Sequence, residues 1–110
     1  MKLSFYAGLR PATRRWCIAV ERDFALEEHN ARLLLMAARA WDRAEAARET
    51  IEAEGVTYKD RLGNPRRHPA VGIERDGMVV FQRALRELAL DGAAGPDEAP
   101  RPPSLRSRRV

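Results

Sequence analysis

The chain has 110 residues, 45% of them hydrophobic but only 6% aromatic, which allows one modest core in a single domain. Charged residues reach 33% and the net charge is +4, a balance that suits helices with wide polar faces and admits a polyanionic partner. Cys17 is the sole cysteine, so an internal disulfide is excluded and a reducing compartment fits.

No apolar run is long enough to cross a bilayer, and "MKLSFYAGLRPATRRW" offers too short an apolar stretch for a secretory signal. A soluble intracellular protein is expected. Residues 1–15 carry Lys2, Arg10, Arg14 and Arg15 and no acid. Pro11 suits a first helical turn and predicts a helix through "ATRRWCIAVERD", with Trp16, Ala19, Val20 and Phe24 on one side. A turn within residues 24–30 then leads to a second helix. There Leu34, Ala37, Trp41, Ala44 and Ile51 form one stripe, while Arg32, Arg39 and Arg43 share a different face. Alanine, the best helix former, is abundant from Ala37 to Ala53, and Gly55 stands where a C-terminal cap is preferred.

"VTYK" suits an extended strand, "DRLGNP" is turn chemistry, and "RRH" returns, so a small β-hairpin is expected before Pro69 opens a third helix. Its basic residues Lys59, Arg61, Arg66 and Arg67 face Asp60 as the one acid. The third helix carries Ile73, Gly77, Val80, Phe81, Ala84, Leu85 and Leu88 along one broad face. Gly77 costs roughly 1 kcal/mol against Ala in mid-helix, so a neighbouring backbone or a ring such as Trp41 should approach closely there. After Asp91 the sequence "GAAGPDEAPRPPSLRSRRV" has no apolar periodicity and predicts a disordered or extended tail. The expected architecture is all-α, three helices with a hairpin between the second and third, over residues 1–91. A flexible Pro/Arg-rich tail, residues 92–110, follows.

Motifs for catalysis do not stand out. No G-x-x-x-x-G-K-[ST] phosphate cradle occurs, and His29, His68 and Cys17 lack metal-ligand spacing. His68, just before Pro69, reads as a helix-start residue rather than a ligand. Asp42, Glu45, Glu49 and Glu52 alternate with Arg43 and Arg48, which reads as a solvated face with local ion pairs. No enzyme, no metal and no cofactor is the expectation.

The ordered pattern resembles the small terminase subunits of tailed double-stranded-DNA phages, in the compact group without a long N-terminal DNA-binding extension. The resemblance rests on Leu33 to Leu35, the alanine- and glutamate-rich helix from Trp41 to Glu54, then Gly63 with His68 and Pro69, and the Leu85, Leu88, Leu90 register. It covers roughly residues 11–90. The tail motif that usually follows at once stands here only as "PPSLRSRR", displaced by "DGAAGPDEAPR".

The resemblance implies a non-catalytic homo-oligomeric ring that recognises double-stranded viral DNA. It would hand that DNA to a large terminase subunit carrying the ATPase and nuclease, in the host cell cytoplasm rather than the mature virion. Candidate DNA contacts are Arg10, Arg14, Arg15, Lys59, Arg61, Arg66 and Arg67, since clustered cations are the footprint of phosphate binding. Arg32, Arg39 and Arg43 are candidates for the face of a ring's channel. Trp41, Val80, Phe81, Leu85 and Leu88 are expected in the core or between subunits. Arg101, Arg106, Arg108 and Arg109 would tether DNA or the large subunit. Two other readings fit a helical chain of this charge: a transcription regulator, or a phage structural adaptor with no DNA role.

Overall fold

The structure, a computed structural model, describes residues 3–90; the tail and its four arginines lie outside them. A short 3-10 helix, Leu3–Tyr6, leads into α1 (Pro11–Phe24), α2 (Glu28–Glu54), the strands β1 (Thr57–Lys59) and β2 (Pro65–Arg67), and α3 (Pro69–Glu87). The architecture is therefore three helices with a two-stranded antiparallel hairpin between the second and third.

Proline opens both α1 and α3, where a missing N–H costs nothing and the fixed φ is already helical. Gly55 ends α2 at φ 90, its N–H reaching Ile51 O at 2.7 Å. His68 caps α3: its Nδ1 accepts from the Ala70 N–H at 3.0 Å. That hydrogen bond fixes the tautomer, so Nε2 bears the proton and donates to Glu54 Oε1 at 2.8 Å. The expected helix-start role of His68 is thus what the structure shows.

Small residues let α2 and α3 lie close. Ala37, Ala40, Ala44 and Ala47 on α2 and Ala70, Gly77 and Ala84 on α3 are all buried. At Gly77 the neighbour is backbone rather than Trp41: a Cβ there would sit 2.8 Å from Ala40 O and 3.0 Å from Ala44 Cβ. The glycine is what sets the separation of the two helices.

The larger core lies on the other side of α2. Tyr6, Cys17 and Leu34 are fully buried, with Leu9, Val20 and Ala38 around them and Leu26, Leu88 and Leu90 against them. The buried stripe of α1 is Thr13, Cys17 and Val20, so the expected position of Phe24 is corrected: it is 56% exposed. The cause is local. Ala25 takes φ 49 with its N–H on Glu21 O at 3.0 Å, which ends the helix and carries Phe24 past the core while Leu26 turns into it.

Candidate nucleic-acid interface

The hairpin is built from its loop outward. Asp60 Oδ1 accepts from the N–H groups of Leu62 and Asn64, both at 2.9 Å, while Gly63 N–H donates to Asp60 O at 2.9 Å. Gly63 sits at φ 84, a conformation that side chains with a Cβ resist. Asp60 Oδ2 takes the Arg66 guanidinium at 2.9 Å. The Asn64 N–H first, and then the Arg66 guanidinium, hold the Asp60 carboxyl below the usual range. At the base, His68 N–H donates to Val56 O at 2.7 Å, joining the hairpin to the start of α3.

The register pairs Thr57 with Arg67, Tyr58 with Arg66 and Lys59 with Pro65. Because strand side chains alternate, Lys59 and Arg67 share one face and Tyr58 and Arg66 the other. All six strand residues are exposed, as are Arg61 and Leu62 at the tip, the latter 84%. Among the described residues, Lys59, Arg61 and Arg67 make no ion pair, whereas Arg66 is held by Asp60. The four cations expected together are on one projection, but on two of its faces.

The N-terminal arginines are placed differently. Arg10 donates from two nitrogens to Glu49, at 2.9 and 3.1 Å, and from its backbone N–H to Asp42 at 2.8 Å. The Glu49 carboxyl is depressed chiefly by that guanidinium. Asp42 also accepts from Thr13 Oγ1 at 2.6 Å, so a carboxylate from α2 serves the N-terminus of α1, which has no side-chain cap of its own. Arg14 Nη1 wraps the preceding turn, donating to Ala7 O and Leu9 O at 3.3 and 3.2 Å. Arg15 is exposed.

On α2 the face expected for a channel is exposed at Arg32, Arg39 and Arg43, with Arg32 paired to Glu28 at 2.9 Å. Trp41, Phe81, Leu85 and Leu88 are half-buried. Phe81 lies between Trp41 and Trp16, ring centroids 4.9 and 5.8 Å away. Val80 is 40% exposed beside Val79 at 38% and Ile73 at 44%, an apolar strip left uncovered in the single chain.

Two structural roles escape the sequence. The basic opening segment holds Tyr6, buried and donating to Glu21 Oε2 at 2.7 Å; burial first, and then that bond, push its phenol well above the ordinary value. Asp42 and Glu49 serve another helix rather than their own; the surplus of carboxylates on that stripe was the signal available.

No helix is long and apolar enough to cross a membrane among the described residues. No curated protein and no solved structure matches the chain. The family model described as phage terminase, small subunit, matches residues 10–95, which takes in all three helices and the hairpin. The chain belongs to the phage terminase small subunit family.

Proposed function

We propose that this chain is the DNA-recognising, non-catalytic subunit of a phage genome-packaging motor. Copies close into a homo-oligomeric ring, and the exposed hairpin cations hold duplex phosphates. The DNA then passes to a large terminase subunit that supplies ATP hydrolysis and cleavage, within the host cytoplasm. The observation that carries the reading is the hairpin: a projection with all its strand residues exposed and with three cations that make no ion pair among the described residues, on a chain of the small-subunit family. Arg15, Arg39 and Arg43 form a second tier of contacts, being exposed without ion pairs among the described residues. Arg10 and Arg14 contribute less, since their guanidinium groups already serve Glu49 and the backbone of the preceding turn. The uncovered strip of Ile73, Val79 and Val80 supports the ring, because head-to-tail contacts that close on themselves would bury it.

The test reverses Arg61 and Arg67 together to Glu and measures duplex binding across a salt series. Each lost phosphate contact should flatten the log–log salt slope by roughly 0.9, with weaker binding across unrelated sequences and an unchanged ring mass by native mass spectrometry. Unaltered affinity in an intact ring would move the DNA contacts to Arg15 and the α2 face. Loss of the ring would make the hairpin an assembly element, and a stable wild-type monomer would remove the ring altogether. Purified chain should neither hydrolyse ATP nor cut DNA in the presence of Mg²⁺.

A further inference from the structure

Leu62, in the hairpin loop, is 84% exposed, more than any other large hydrophobic side chain among the described residues. One exposed leucine is ordinary on a surface, but this one stands among cations at the end of a projection. Arg61 precedes it, Lys59 and Arg67 lie behind it on one strand face, and none of the three makes an ion pair among the described residues. The loop bonds to itself and leaves the side chain outside. The Leu62 and Asn64 N–H groups both donate to Asp60 Oδ1, and the Gly63 N–H donates to Asp60 O. We infer that Leu62 is a wedge, entering duplex DNA from the minor groove and parting two stacked base pairs, which bends the duplex. This rests on the reading of the hairpin as the DNA contact and extends it from charge to mode of binding.

Dimensions favour the tip. The minor groove is roughly 6 Å wide and 7.5 Å deep. Paired strands lie roughly 4.8 Å apart before their side chains are counted, so the ribbon is too broad for the groove floor. A loop carrying one aliphatic side chain reaches it. The register places Lys59 opposite Pro65 at the loop end, and Arg67 opposite Thr57 two residues further back, roughly 7 Å at the strand rise. That offset matches the depth of the groove. With Leu62 at the floor, the two cations on their shared face come toward the rim, where the phosphates are. Arg61 enters beside the leucine, where a narrow minor groove concentrates negative potential. Arg66, on the other face, is kept by Asp60 at 2.9 Å and closes the loop instead.

The chemistry of the step agrees. Unstacking a base step costs free energy, and burying an aliphatic side chain that water surrounds offsets part of it. The bend then brings more protein surface against the DNA. Pyrimidine–purine steps unstack most easily, so the wedge selects TA and CA steps without a hydrogen bond to any base. The strands themselves, Thr57–Lys59 and Pro65–Arg67, carry no Asn or Gln to read adenine edges.

The test uses the full chain and a short duplex with 2-aminopurine in a central TA step and a fluorophore pair at its ends. Binding should raise the 2-aminopurine emission and bring the ends closer, and netropsin, a minor-groove ligand, should compete. Leu62→Ala should lose the emission rise, the bend and a several-fold preference for a TA over an AA centre. Its salt slope should stay as in the wild type, since no phosphate contact is removed. Leu62→Met should restore all three. Retention of the rise and the bend in Leu62→Ala would overturn the wedge. Wild-type binding through the hairpin cations to straight, stacked DNA, or binding indifferent to netropsin, would overturn it too and leave the DNA reading standing. Unaltered binding by the Arg61→Glu, Arg67→Glu chain in an intact ring would instead remove the hairpin as the DNA contact, and the wedge with it. Break-up of the assembly in Leu62→Ala, read by native mass spectrometry, would also overturn the wedge and make a second copy the partner of the tip.

Discussion

Where α2 and α3 come closest, around Gly77, the side chains are reduced to methyl groups and one hydrogen. The hairpin that joins the same two helices buries none of its strand residues and depends on hydrogen bonds at its loop and its base. One region is held by close packing and the other by local polar geometry. They should therefore fail differently: the seam to added volume, the hairpin to lost carboxylate charge.

The largest effect belongs to Gly77→Ala. Its Cβ would meet the Ala40 carbonyl at 2.8 Å, and backbone on a long helix cannot move aside alone. Although Ala favours helix by about 1 kcal/mol, overpacking of about 1–3 kcal/mol should outweigh it. The melting temperature should fall, and a rise would show that the helices can separate freely. Next, Asp42→Ala leaves the Thr13 hydroxyl and the Arg10 N–H without their acceptor. A cost of about 1–2 kcal/mol follows, read in chemical denaturation, with hydrogen exchange rising in α1 before α2. His68→Ala removes the cap of α3 and the link to Glu54, for about 1 kcal/mol. Faster amide exchange confined to Ala70 and its neighbours would show it.

The smallest effect is a pH response in the hairpin. The Asp60 and Glu49 carboxyls are depressed in the fold, so their contribution is complete above the ordinary carboxylate range and is lost as pH falls through their lowered values. Amide shifts of Leu62 and Asn64 should hold from neutrality to mild acid, then move only below the ordinary carboxylate range. Movement already near pH 6 would point to another group.

Much of this comparison was legible in the sequence where a residue's own backbone preference decided the outcome. Pro11, Gly55 and Pro69 mark helix ends by what their φ and N–H permit, and "DRLGNP" marks the loop between two short strands. The role of Asp60 was open to the same reasoning, since its side chain serves amides two and four residues ahead. What the sequence hid were long-range partners. Asp42 and Glu49 alternate with arginines, as a solvated face does, yet Arg10 and Thr13 stand about thirty or more positions earlier. Tyr6 lies in a basic stretch, and only the return of α1 over it makes it core. The DNA candidates were readable as charge but not as availability: the structure separates the engaged Arg10 and Arg66 from Arg61 and Arg67, which make no ion pair among the described residues.

Cys17 has a practical consequence. The thiol is fully buried and pushed up to about 12, chiefly by burial and then by Asp42 and Glu21. Near neutral pH its thiolate, the form that alkylating reagents attack, is essentially unpopulated. The native chain should therefore be silent toward maleimides without any cysteine being removed. A cysteine placed at Leu62, 84% exposed at the tip, would take a dye or spin label alone, making the hairpin visible in mixtures of labelled and unlabelled subunits.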